Sequence, residues 1–263
     1  MATVTSHQVT SADGTVIAYE RSGDGPPALI VGGAFNDRRT AGPLAAALAS
    51  EFTTIAYDRR GRGSSGDTAP YAPEREIEDL AAILDDIGRP THVYGLSSGA
   101  VLALEAAAAG LPVARLAVFE PPYSDGPRTS DDYLTRLAEL TAAGRRGDAV
   151  ELFMTEAVGV PAEAVPSIRQ SPAWVPMKAI AHTLLYDALV VESGAMPRER
   201  LATISVPTLA LASAGSPPWL REAAAAVAEV VPGAGMGIVD GGFHDVTPEV
   251  LAPVLSEFFG AGH

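Results

Sequence analysis

Short apolar runs alternate with helix-length amphipathic stretches through most of this chain, and that rhythm admits few architectures. The runs Ala28 to Val31, Thr53 to Tyr57, Thr91 to Tyr94 and Leu116 to Phe119 are separated by helices predicted near Pro43 to Ala49, Pro73 to Ile87 and Ser98 to Ala109. Runs this short and this apolar suit strands buried on both faces, which calls for a parallel sheet covered by helices on each side. Ahead of them, Gln8 to Thr10 and Val16 to Arg21 flank Asp13-Gly14, a turn pair suited to an antiparallel hairpin.

The rhythm breaks after Glu120. From Tyr123 to about Arg200 the pattern is helical only: Ser130 is expected to cap a helix bearing Leu134, Leu137 and Leu140, followed by helices at Asp148 to Val158 and Trp174 to Val191. It resumes with Thr208 to Ala212, a helix from about Pro217 to Val230, Met236 to Val239, and a last helix from Pro248 to Phe259 with Thr247 as its N-cap. The expected fold is therefore α/β, a mostly parallel twisted sheet with helices on both faces. Its core spans 1–122 and 201–263, and a helical cap is inserted at 123–200.

Charge narrows the partners. The 263 residues include 32 acidic and 18 basic side chains, for a formal net charge of −14. Binding nucleic acid relies on clustered Lys and Arg, and here Lys178 is the sole lysine, so nucleic acid and anionic membrane surfaces are disfavoured. The absence of cysteine removes disulfides, thiolate nucleophiles and cysteine-bound metal. Met1 to Ser11 has no apolar core, and no apolar run approaches the roughly 20 residues that span a bilayer, so a cytoplasmic location is expected. The partner expected is a small molecule, with no metal or organic cofactor; the oligomeric state is left open.

The chemistry centres on Gly95-Leu96-Ser97-Ser98-Gly99, which lies between a predicted strand and a predicted helix. G-x-S-x-G in that context is a nucleophile elbow. The sharp turn needs glycine on both sides and lifts the serine hydroxyl to the C-terminal edge of the sheet, where the helix N-terminus favours developing negative charge. A serine needs a base, and there are five histidines. His7 and His263 lie near the chain ends, His92 starts a strand at the end away from Ser97, and His182 falls on a cap helix, where packing is its ordinary role. His244 follows the last strand in a Gly-rich loop on the same sheet edge as Ser97, which makes it the candidate general base.

These features resemble the α/β-hydrolase superfamily, in its serine-nucleophile form with a helical cap after the sixth strand. The matching residues are the elbow, the loop Asp58-Arg59-Arg60-Gly61-Arg62-Gly63-Ser64-Ser65, close to D-x-R-G-x-G-x-S, and the late G-x-x-H ending at His244. The resemblance implies an oxyanion hole built from the backbone N–H groups of Ser98 and of Ala34, in the loop Val31-Gly32-Gly33-Ala34-Phe35. Gly32-Gly33 departs there from the His-Gly of many relatives. The loop from Asp58 to Ser65 is expected to shape structure rather than touch substrate.

The acid of the triad is the larger departure. Its commonest position in the superfamily, after the seventh strand, holds Ser216, and no carboxylate occurs between Glu199 and Glu222. Some relatives place it after the sixth strand, and there Glu120 stands at the strand tip, with Asp125, Asp240 and Asp245 as weaker candidates. The expectation is a serine hydrolase in which Ser97 attacks, His244 takes the proton and Glu120 orients the imidazole, acting on a carboxylic ester, thioester or lactone of a small apolar substrate. Phe35, Tyr123, Trp174, Met177 and Tyr186 are the candidate pocket residues. A lyase or cyclase of natural-product biosynthesis on the same scaffold, or a low-turnover binding protein, are the alternatives.

Overall fold

The computed structural model describes residues 3–124, 126, 128–191 and 194–261, so the candidates Asp125 and His263 lie outside the described residues. Eight strands form one sheet in the order β1-β2-β4-β3-β5-β6-β7-β8. They are β1 (Val4–Thr10), β2 (Val16–Ser22), β3 (Pro27–Val31), β4 (Thr53–Tyr57), β5 (Thr91–Leu96), β6 (Val113–Phe119), β7 (Thr208–Ser213) and β8 (Gly235–Val239). β1 and β2 form the antiparallel hairpin expected at Asp13-Gly14, β2 pairs antiparallel with β4, and the remaining pairings are parallel. All five residues of β3 and of β4 are buried, as strands covered on both faces require.

Helices cover each face. α1 (Arg38–Leu48) and the last helix of the chain (Pro248–Gly260) pack Leu44, Leu48, Leu251, Leu255 and Phe259 into one apolar layer. On the other face, α2 (Pro73–Ile87) and α3 (Ser98–Ala108) contribute Leu80, Ile83, Val101 and Leu104. α1 begins five residues before the predicted start because Asp37 caps it, accepting from the backbone N–H groups of Arg39 and Thr40 while Thr40 reaches back to Asp37. Pro43, read as a helix start, sits inside it instead.

Between β6 and β7 the described structure is helical. α4 (Tyr133–Ala142), α5 (Arg146–Leu152), a π-helical turn (Phe153–Val158), α6 (Val165–Gln170), α7 (Trp174–Ala179), α8 (Leu184–Val191) and α9 (Arg198–Leu201) follow one another, and α10 (Pro218–Val230) joins β7 to β8. We call the last helix α11. The two long cap helices read from the sequence are each interrupted. One passes into the π turn at Phe153, and the other breaks at Ile180 between α7 and α8. Ser130 does not cap α4, whose N-cap is Asp132; its hydroxyl bonds the side chains of Asp132 and Glu156. Tyr133, Leu137, Val150, Leu152, Phe153 and Leu184 give the cap a core of its own. Among the described residues, no helix is long and apolar enough to cross a membrane.

Candidate active site

Parallel strands end together, and the loops that leave their C-terminal edge converge. In the register of β5 and β6, Leu96 lies opposite Phe119, so Ser97 and Glu120 leave the sheet side by side. The Ser97 N–H donates to the Phe119 carbonyl at 2.9 Å, and the Glu120 N–H donates to the Leu211 carbonyl at 2.9 Å. Ser97 stands between β5 and α3 with φ 56° and ψ −124°. Such a tight reversal demands close backbone approach: a Cβ on Gly99 would lie 2.3 Å from the Val31 carbonyl oxygen. Ser97 occupies the N-cap position of α3 yet its side chain makes no cap hydrogen bond, so the hydroxyl is not spent on the helix.

His244 sits in the loop after β8, and its Nδ1 donates to Glu120 Oε2. The other carboxylate oxygen accepts from the Ser213 N–H at 2.8 Å. Glu120 is fully buried. Burial alone would raise its pKa, but hydrogen bonds from His244, the Ser213 N–H and the Ser216 hydroxyl bring it below the usual carboxylate value. Ser216, standing where the common acid position was vacant, is thus a buried neighbour of Glu120 and lies 3.0 Å from the Ser213 hydroxyl. Asp240 and Asp245 are exposed. Among the described residues, the non-glycine residues with positive φ are Phe35, Ser97, Glu120 and His244, at 61°, 56°, 48° and 52°.

The loop after β3 approaches the elbow closely enough that a Cβ on Gly33 would lie 2.9 Å from Ser97 Cβ. That contact explains the second glycine of Gly32-Gly33. The Gly33 carbonyl accepts from Arg62 Nη1 at 2.6 Å, and the same nitrogen donates to the Asn36 carbonyl at 3.0 Å. A trans peptide directs its N–H opposite to its C=O, so the guanidinium fixes the plane that carries the Ala34 N–H. Arg62 Nη2 pairs with Asp187 of α8 at 2.6 Å. Asp187 also accepts from Arg59 at 2.7 Å and from the Ser98 hydroxyl at 2.6 Å, and Arg59 pairs with Glu76 of α2. All five of these side chains are at most 2 % exposed. Burial would raise the pKa of Asp187, but the two guanidinium charges and the Ser98 hydroxyl hold it below its ordinary value. Asp187 has no signature in the sequence, since no local pattern ties it to Arg59 or Arg62.

A cavity of about 400 Å³ opens over these groups. Its wall includes Ala34, Phe35, Ser97, Ser98 and His244 together with cap residues Tyr133, Phe153, Met154, Ala157 and Val158. Four of these ten lie in the π-helical turn, a distortion often found where helices meet ligands. Of the five pocket residues expected from sequence, only Phe35 is on the wall. Tyr123 is buried in the main core, Trp174 and Met177 pack on the cap's own core, and Tyr186 stacks on Tyr71 at 3.8 Å with its hydroxyl on Asp67. Helical spacing marks an apolar face without saying which neighbour it meets, and here that neighbour is protein. Leu96, Trp219 and Phe243, which the sequence reading passed over, line the cavity instead.

The other histidines have separate places. His92 stacks on Phe259, His7 stacks on Tyr19, and His182 bonds the Gly61 carbonyl. None of the three lines the cavity.

Comparison with known proteins agrees with this architecture. The alpha/beta hydrolase family matches residues 12–254. An alpha/beta hydrolase from Sphaerobacter thermophilus superposes with a TM-score of 0.92 at 54% identity, covering 96% of this chain and 100% of that one. N-formylmaleamate deformylase from Pseudomonas putida is 36% identical over 163 residues, 58% of this chain and 60% of the relative. The esterase RhEst1 from Rhodococcus sp. shares the fold, with a TM-score of 0.71 at 20% identity over 97% of this chain and 98% of that one. The chain belongs to the alpha/beta hydrolase family.

Proposed function

We propose that this protein is a serine hydrolase that cleaves a carboxylic ester, thioester or lactone of a small, mainly apolar substrate through an acyl-enzyme. One observation carries the reading: the backbone is forced into left-handed conformations, outside glycine, at the serine, the acid, the histidine and the loop of the oxyanion donors. Each such residue costs on the order of 1–3 kcal/mol, a strain that clusters where chemistry needs groups held in place. The similar proteins include an esterase and a deformylase, activities of the same general kind.

In this mechanism Ser97 Oγ bonds to the scissile carbonyl carbon while its proton passes to His244 Nε2. The carbonyl electron pair moves onto oxygen, where the N–H groups of Ala34 and Ser98 receive it. Glu120 keeps the imidazole in the tautomer that leaves Nε2 free and stabilises the imidazolium. The leaving oxygen or sulfur takes the proton from Nε2 as its bond to carbon breaks. Water then attacks the acyl group with His244 as base, and release of the acid restores the Ser97 hydroxyl.

The test is covalent labelling. A fluorophosphonate probe should modify Ser97, and Ser97→Ala should lose labelling and ester turnover together while keeping its circular dichroism spectrum. Labelling that persists in Ser97→Ala, or that maps to Ser98, would overturn the nucleophile.

A further inference from the structure

The cavity wall carries few charges, and they are not equivalent. Asp187 is neutralised by Arg59 and Arg62, and His244 is engaged by Glu120. That leaves Arg128, on the segment that leads from β6 into the cap. Its guanidinium carbon lies 3.4 Å from the centroid of the Trp219 ring, at the start of α10. No carboxylate pairs with it among the described residues. Stacking fixes the plane of the guanidinium but occupies its face, which leaves the in-plane N–H donors available in the fork that suits a carboxylate. Arg128 is exposed, so it stands on the solvent side of the cavity, whereas Ser97 stands where the elbow meets the sheet. The rest of the cavity wall is mainly apolar, with Phe35, Phe153, Val158 and Phe243 among its residues.

We propose that Arg128, held on Trp219, is a subsite for an anionic end group, so that the substrate is an acyl compound with an apolar body and a carboxylate or similar anion remote from the bond that is cleaved. The proposal rests on the hydrolase reading and deepens it by naming the substrate class. A chain of net charge −14 repels anions at long range. A fixed cation at the cavity therefore works against the field of the whole molecule, and discrimination in favour of an anion has to come from local contact.

The experiment compares mono-p-nitrophenyl esters of dicarboxylic acids, in a series of graded length, with esters of the same length that end in a neutral amide. The expected result is a higher kcat/KM for the acid-ended ester at one length or more, and a ratio of acid-ended to amide-ended kcat/KM that falls about fivefold in Arg128→Gln, the upper range for a partly solvated charge pair. Arg115→Gln makes the same change in net charge at the start of β6, the opposite edge of the sheet, and should leave the ratio where it was. In parallel, calorimetry on Ser97→Ala should show the free dicarboxylates binding more tightly than the diamides, with the difference lost in Ser97→Ala with Arg128→Gln. Preference for the neutral ester at every length, or a ratio unmoved by Arg128→Gln, overturns the subsite. If no ester of either series is turned over, the hydrolase reading fails, and calorimetry alone then decides whether the anion site exists.

Discussion

Glu120 is placed by the backbone before its side chain does anything. At φ 48° it turns off the end of β6, and both carboxylate oxygens are consumed, one by the Ser213 N–H and one by His244 Nδ1. Replacing it by glutamine preserves size but offers an amide that can present the wrong group to the imidazole and cannot stabilise an imidazolium. We expect Glu120→Gln to fold normally and to lose about 10³–10⁴ in kcat with a smaller change in KM. Because Ser216 bonds the same carboxylate, Ser216→Asp in the Glu120→Gln background should restore part of the lost rate. Steady-state kinetics on the three proteins checks this, and full activity in Glu120→Gln would leave Ser97 and His244 working without an acid. Glu120 was legible as a candidate for a negative reason. The stretch from Leu201 to Arg221 contains no carboxylate, which leaves the one at the tip of β6. Asp187 was not legible, because its partner Arg59 is 128 positions away and no periodicity connects them.

At the scale of elements, α8 and the loop after β4 brace the loop after β3, which is proposed to hold the oxyanion. Arg59, Arg60 and Arg62 lie on one loop and are equally buried, but their contacts differ. Arg60 pairs with Asp79 of α2 and with Asp13 in the hairpin turn, whereas Arg62 holds the Gly33 and Asn36 carbonyls and Asp187 of α8. The two arginines therefore separate support of the fold from support of the site. In Arg62→Lys one ammonium cannot reach all these acceptors, so the Gly33–Ala34 peptide loses its fixed plane. The expected outcome is a fall in kcat of about tenfold with KM nearly unchanged and a matching loss of affinity for a boronic acid inhibitor, since complete removal of an oxyanion donor costs about 10²–10³. Arg60→Lys should lower the melting temperature without that selective effect on kcat. Equal effects of both variants on kcat would mean that the arginines only stabilise the loop. The sequence showed the three arginines and their motif, and it was right that they shape a loop. What it could not show is that one of them reaches the loop expected to hold the oxyanion, because that contact exists only once β3 and β4 lie side by side.

For the molecule as a whole, the mostly parallel sheet was legible because parallel pairing writes itself as apolar runs and helices, and the cap was legible because that rhythm stops. The interior of the cap was not, since Trp174 and Met177 have the same spacing whether they face a ligand or, as here, the cap's own buried core. The cap joins the sheet domain partly through charge, with Asp187 of α8 between Arg59 and Arg62, and this makes the stability of the whole pH-dependent. The pKa of Asp187 is lower in the folded protein than in the unfolded chain, as are those of Asp13 and Glu120. Their stabilisation is therefore complete above the unfolded carboxylate pKa of about 4 and is lost as pH falls through the lower folded values. Asp79 works in the opposite sense, because its burial raises its pKa. Asp187→Asn removes one partner of a buried cluster, which typically costs at least about 3 kcal/mol, or about 6–12 °C in melting temperature for a domain of this size. At pH 7 the variant should therefore melt well below the parent. As pH drops below about 4, Asp187 of the unfolded chain takes up a proton first and that of the folded parent only at lower pH, so the parent loses its advantage over the amide and the two melting curves should converge. Curves that stay parallel from pH 7 to pH 3 would show that the carboxylate charge is not what joins the cap to the sheet.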